Sequence, residues 1–139
     1  MMERTLLLVD DETDITAALA RMLRGEGYTI LRANSGREGL ALLAQHAVGV
    51  IVSDQRMPEM TGVEFFSQVR ELYPKTIRMV LSGYADLDSV TDAINRGAVY
   101  QFPGKPWDDE LLRENLREAF RHYRLEQESR QAKEDSSGQ

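Results

Sequence analysis

The stretch VGVIVSDQRMPEM, residues 48–60, runs five almost wholly apolar residues into Ser53 and Asp54 and then breaks its pattern at Pro58. A buried strand has no need of a carboxylate at its end unless the acid does something there. TLLLVDD, residues 5–11, repeats the arrangement by placing Asp10 and Asp11 directly after its own apolar run. Further runs of strand length, rich in β-branched residues, fall at 29–33, 77–81 and 99–102.

Helical patterns fill the intervals. Ile15, Leu19, Met22 and Leu23 keep one face before Gly25, and Leu87, Val90 and Ile94 do the same before Gly97. Ser35 with Glu38 and Thr61 with Glu64 read as S/T-x-x-E capping boxes, which set helix starts after the second and third strands. A last helix is expected from near Asp108, with Leu112, Leu116, Ala119, Phe120 and Tyr123 as its apolar stripe. Strands that alternate with helices in this way form a parallel sheet covered on both faces, a doubly wound α/β domain. Pro103 lacks a backbone donor, which suggests an edge position for the fifth strand.

Composition narrows the function. With 139 residues and 42% hydrophobic content the chain fits one domain, expected over residues 1–124, with 125–139 as a helix extension, linker or disordered tail. There is no cysteine, hence no disulfide framework and no thiol nucleophile. The N-terminal apolar run is too short for a secretory core or a membrane span, so a soluble, cytoplasmic protein without membrane association is expected. A formal charge of −6 argues against direct nucleic-acid binding by this chain. The segment from Arg121 onward mixes basic and acidic residues and offers no basic arm.

In open α/β sheets ligands gather outside the carboxyl ends of the strands. The chain places there Asp10 and Asp11, Asp54, Ser82 followed by Gly83, and Lys105 within PGKPW. Carboxylates held close together repel by about 4 kcal/mol per pair at an effective dielectric of roughly 20. A divalent cation that prefers oxygen ligands offsets this, and Mg²⁺ (or Mn²⁺) suits the set. Lys105 then meets a phosphoryl oxygen, Ser82 donates a hydrogen bond to another, and Gly83 leaves room for the group. Asp54, alone at a central strand, is the best nucleophile toward phosphorus; Asp10 and Asp11 read better as metal holders.

Taken together and in order, LLLVDDE, VIVSDQRMPEMTGVEFF, MVLSGYAD and FPGKPW, spread over residues 5–107, resemble the receiver domain of bacterial two-component response regulators. The resemblance implies a flavodoxin-like (βα)5 fold with strand order 2-1-3-4-5. It implies that Asp54 accepts a phosphoryl group from a sensor histidine kinase or phosphotransfer protein. Asp11 and Asp54 would ligate Mg²⁺ with the backbone carbonyl of Arg56, and Asp10 would assist through water. Lys105, Ser82 and Gly83 would hold the phosphoryl group, and Ser82 with Phe102 would form the switch. Phe102 lacks the hydroxyl of the commoner tyrosine, so a switch hydrogen bond from that ring is absent. The Lys105–Pro106 bond would be cis. Arg56 and Tyr84 occupy the two variable rim positions beside the attacking-water path, where bulk is expected to slow loss of the phosphoryl group. The signal would leave through the surface of the fourth helix, fifth strand and fifth helix to an output domain or downstream protein.

Other readings are weaker. A dehalogenase-type hydrolase also uses a strand-end aspartate with Mg²⁺, but it wants a second acid two residues later, where Arg56 stands. Neither G-x-x-x-x-G-K-[ST] nor G-x-G-x-x-G occurs to mark a nucleotide enzyme. A binding module that has lost phosphorylation would lack an acid or the lysine, and none is missing. His46 and His122 are expected in solvent, and Met57 and Met60 to pack their loop. Arg113, Arg117 and Arg121 with Asp88 and Asp92 offer cross-subunit pairs for a homodimer.

Overall fold

The structure, a computed structural model, describes residues 4–81 and 107–137, with side chains to 129. Four strands, β1 (Thr5–Val9), β2 (Thr29–Ala33), β3 (Val50–Asp54) and β4 (Ile77–Leu81), form a parallel sheet in the order β2-β1-β3-β4. Helices α1 (Thr13–Met22), α2 (Gly36–Leu43) and α3 (Gly62–Leu72) connect them, and a C-terminal helix spans Asp109–Ser137. This is the parallel α/β sheet expected from the alternating pattern, in the order that the resemblance implies for its first four strands. The fifth strand expected at 99–102, with Pro103, and the helix of Leu87, Val90 and Ile94 lie outside the described residues.

The sheet has two cores because side chains alternate across it. Leu7, Val9, Ile51 and Val80 point to one face, where Leu43, Val63, Phe65, Phe66 and Val69 from α2 and α3 cover them. Leu6, Leu8, Val50, Val52, Ile77, Met79 and Leu81 point to the other, against Leu19 and Leu23 at α1 and Leu112, Leu116, Ala119 and Phe120 of the C-terminal helix. This explains why β1 and β3 are apolar at nearly every position rather than at alternate ones. Each such side chain stabilises the fold by about 1.5–3 kcal/mol when fully buried. Among the described residues β2 pairs with β1 alone, and its Thr29 and Arg32 are exposed.

Two boundaries differ from expectation. The third strand was expected at 48–52 but occupies Val50–Asp54. Register decides this: β1 carries the ladder as far as Ser53, which pairs with Val9, and β4 carries it through the acid, Asp54 pairing with Leu81. Val48 instead receives the Thr76 hydroxyl on its carbonyl at 2.9 Å, which anchors the entry to β4. Of the two capping boxes, Thr61 with Glu64 forms reciprocally. At Ser35 only the first half forms, its hydroxyl accepting from the Glu38 N–H at 3.1 Å. The C-terminal helix begins as expected, with the Asp108 carboxylate accepting from the Leu111 N–H at 3.0 Å. It then runs on beyond Tyr123, the last residue packed against the sheet core.

Candidate functional site

β1 and β3 are adjacent and parallel, so both discharge their acids at the same end of the sheet. Asp10 and Asp54 are 3% and 8% exposed, whereas Asp11 faces solvent. One carboxylate oxygen from each of Asp10, Asp11 and Asp54 lies within 4.8 Å of the others. The Asp10 carboxylate accepts the Glu12 N–H at 2.9 Å, an anchor at the residue that caps α1. Arg32 reaches from β2 to the same first turn, donating to the Thr16 hydroxyl and to the Thr13 carbonyl, both at 3.1 Å. The loop that carries Asp10 and Asp11 is therefore held from inside and from the sheet edge.

The other wall is the loop from Gln55 to Thr61. Fully buried Ser53 donates its hydroxyl to the Asp54 carbonyl at 2.9 Å. The first N–H groups of α3 need acceptors that the helix cannot supply. Gly62 donates to the Gln55 carbonyl at 3.0 Å, Val63 to the Gln55 side-chain oxygen at 2.9 Å, and Glu64 to the Thr61 hydroxyl at 3.1 Å. The Glu64 carboxylate accepts from the Thr61 N–H, and that bond first, with the Thr61 side chain second, holds its pKa below the ordinary 4.5. Within the loop Glu59 takes φ 69°, and the Met60 N–H donates to the Pro58 carbonyl at 2.7 Å, a tight three-residue turn. Met57 is buried against the α2 and α3 core and Met60 packs at its margin, so both pack the loop as expected.

Gly62 permits a close approach. A Cβ at that position would overlap the Asp54 carbonyl oxygen, so only glycine lets α3 start so near the end of β3. Gln55, Gly62 and Arg32 were not singled out from the sequence. A buried amide directly after a strand-end acid, and a glycine one residue past the Thr61 cap, were the available signals.

The structure thus brings together Asp10, Asp11 and Asp54, with Arg56 exposed at the rim. Ser82, Gly83, Tyr84, Phe102, Lys105 and Pro106 lie outside the described residues. His46 is exposed and His122 meets Glu126 at 3.1 Å, so neither joins the acids. The arginines expected to reach a second subunit have partners in their own chain. Arg117 holds Glu26 with two bonds of 2.7 and 3.2 Å, Arg113 meets Glu110, and Arg121 lies 3.7 Å from Glu118; Asp88 and Asp92 are outside the described residues. An apolar groove of about 410 Å³, bounded by Leu43, Val48, Tyr73 and Tyr123, opens at the amino end of β3, away from the acids.

Three hard oxygen donors converging from two strand ends suit Mg²⁺, which takes one or two carboxylates and keeps several waters. The donor set contains no sulfur or imidazole, so it does not favour zinc or copper.

Comparison with known proteins gives the family. Residues 6–121 match the response regulator receiver domain. The hydrogenase transcriptional regulatory protein HoxA of Bradyrhizobium diazoefficiens is 39% identical over 128 residues, covering 92% of this chain and 26% of the relative. HoxA of Cupriavidus necator is 43% identical over 117 residues, covering 84% and 24%. The chain spans about a quarter of the length of these curated relatives. A solved signal receiver domain of an HD domain-containing protein from Pseudomonas fluorescens superposes with a TM-score of 0.86 at 34% identity, covering 92% of this chain and 94% of that one. No helix among the described residues is long and apolar enough to cross a membrane. The acids at the ends of β1 and β3 accordingly belong to a signalling module rather than a catalytic enzyme domain, and the chain is a member of the response regulator receiver domain family.

Proposed function

We propose that this domain is switched by phosphorylation of Asp54, and that Asp11, Asp54 and the Arg56 carbonyl hold the Mg²⁺ on which the reaction depends, with Asp10 acting through water. The convergence of the three carboxylates to within 4.8 Å carries this reading. Such a cluster is costly by itself, and burial of Asp10 and Asp54 raises the cost further. Bound Mg²⁺ supplies positive charge that offsets the carboxylates and the phosphoryl oxygens.

The chain's own groups do the rest. An Asp54 oxygen attacks phosphorus of a phosphohistidine on a sensor kinase or phosphotransfer protein. The Asp54 O–P bond forms as the P–N bond breaks, and the electron pair stays on the imidazole nitrogen. Lys105 neutralises one phosphoryl oxygen, and Ser82 donates to another past Gly83. Hydrolysis later reverses the state: water attacks phosphorus, orthophosphate leaves and the Asp54 carboxylate returns. Arg56 and Tyr84 crowd the water's approach and prolong the phosphorylated state. This self-directed chemistry is the domain's only turnover.

The relatives named as transcriptional regulators are about four times as long as the matched region. We take this receiver to be the input part of such a regulator, working in the cytoplasm, with the C-terminal helix leading toward the output. Phosphorylation, through the switch residues Ser82 and Phe102, shifts the population of two arrangements of the surface of the fourth helix, fifth strand and fifth helix, and an output module or partner distinguishes them.

Trp107, the only tryptophan, lies two residues past Lys105 and is the natural probe. Its fluorescence is expected to change on adding Mg²⁺ and again on adding acetyl phosphate. Asp54→Ala should abolish the second change. A second change that persists in Asp54→Ala assigns the phosphoryl group elsewhere.

A further inference from the structure

We propose that Gln55 is a positioning residue that sets the angle between the two oxygen ligands on either side of it, the Asp54 carboxylate and the Arg56 carbonyl. The inference rests on the metal site proposed above. Gln55 is 6% exposed, and its side chain reaches the first turn of α3. The atom facing the Val63 N–H at 2.9 Å is the amide oxygen, since a backbone donor requires an acceptor. The Gln55 carbonyl takes the Gly62 N–H at 3.0 Å. One residue therefore ties both its backbone and its side chain to consecutive N–H groups of α3.

The consequence is geometric. The segment between Gln55 and Gly62 is a loop whose Arg56, Pro58 and Glu59 face solvent while Met57 is buried in the core. Gly62 brings α3 against the Asp54 carbonyl, and a loop closed there by one backbone bond could still hinge at Gln55. The second bond, from side chain to helix, limits the backbone torsions of Gln55 and so narrows where the peptide of Arg56, and with it the next carbonyl, is carried relative to Asp54. Mg²⁺ demands near-ideal octahedral placement of its ligands and tolerates such hinging poorly. Groups that orient metal ligands without touching the ion typically matter by about 10–100-fold in affinity.

Calorimetric Mg²⁺ titration of the full chain, paired with thermal melting in EDTA, tests this. Gln55→Leu keeps the volume and removes the acceptor, and should weaken Mg²⁺ binding by about tenfold or more while the variant is still folded at the titration temperature. Gln55→Glu keeps an acceptor in place and should bind at least as tightly as the wild type. If Gln55→Leu does not fold, Gln55→Asn, whose amide is one methylene too short to reach Val63, carries the same expectation. A lowered melting temperature with Mg²⁺ affinity within twofold of wild type would mean that the residue only supports the fold, and would overturn the inference. So would a Glu variant as weak as the Leu variant. A wild-type chain that takes up no Mg²⁺ overturns instead the site reading on which the inference depends.

Discussion

Replacing Asp11 with asparagine should make the metal-free protein more stable. Its carboxylate oxygen lies within 4.8 Å of oxygens from both Asp10 and Asp54. At that separation each repulsion is worth about 3.5 kcal/mol at an effective dielectric of 20 and about 0.9 kcal/mol in bulk water. Asp11 faces solvent, so the lower figure governs, and salt at physiological strength trims it further. The two contacts together give a gain of roughly 1–2 kcal/mol, or about 3–8 °C in melting temperature for a domain of this size. In Mg²⁺ the gap closes: at ten times its dissociation constant the ion stabilises the wild type by about 1.4 kcal/mol, while Asp11→Asn, short of a ligand, gains little. Urea melts of both proteins, in EDTA and in millimolar Mg²⁺, measure the four stabilities. An Asp11→Asn protein that is no more stable than wild type in EDTA, or that gains as much from Mg²⁺, would refute the electrostatic reasoning.

Other perturbations test the elements around the site. Gly62→Ala forces a methyl into the Asp54 carbonyl and should cost about 2–3 kcal/mol in chemical denaturation, with weaker Mg²⁺ binding in the same protein; equal stability would show that α3 can move away freely. Tyr28→Phe should raise stability by about 1 kcal/mol. It deletes a buried hydroxyl with no partner among the described residues while keeping the ring stacked 4.7 Å from Phe120, and a loss on melting would reveal a bridging water. Burial also pushes the Tyr28 pKa up. For Glu64 the sign follows from its depressed pKa: the folded state binds the proton less readily than the unfolded chain, so its stabilisation is complete above 4.5 and is lost as pH falls through the lower folded value. Glu64→Gln should therefore flatten the acid limb of a stability–pH curve, and parallel curves for the two proteins would remove the capping bonds from the explanation.

What could be read from the chain alone followed local chemistry. Buried strands announced themselves as apolar runs, and the Thr61 and Glu64 pair set the start of α3 because both halves of that cap lie within one turn. The three acids were legible because each directly follows or ends an apolar run, and parallel pairing must then bring them to one edge. Long-range partners were not legible. The end of β3 depended on Val9 and Leu81 in two other strands, and residues 48–52 alone gave no sign of it. Arg117 looked available for a second subunit because Glu26, its partner, is 91 residues away in sequence. Gln55 looked like a loop residue because the donor that its side chain accepts from is in the following helix, not in its own neighbourhood. The one-sided exposure of β2 likewise comes from its place at the edge, which the sequence of 29–33 does not encode.

The most direct test of the whole account is intact-mass analysis of the chain incubated with acetyl phosphate, with Mg²⁺ or with EDTA, followed by peptide mapping. One hydroxylamine-labile phosphoryl group, acquired only with Mg²⁺ and located on the peptide containing Asp54, is the predicted result. An unchanged mass under Mg²⁺ with a competent donor, or a phosphoryl group mapped to any other residue, would contradict it.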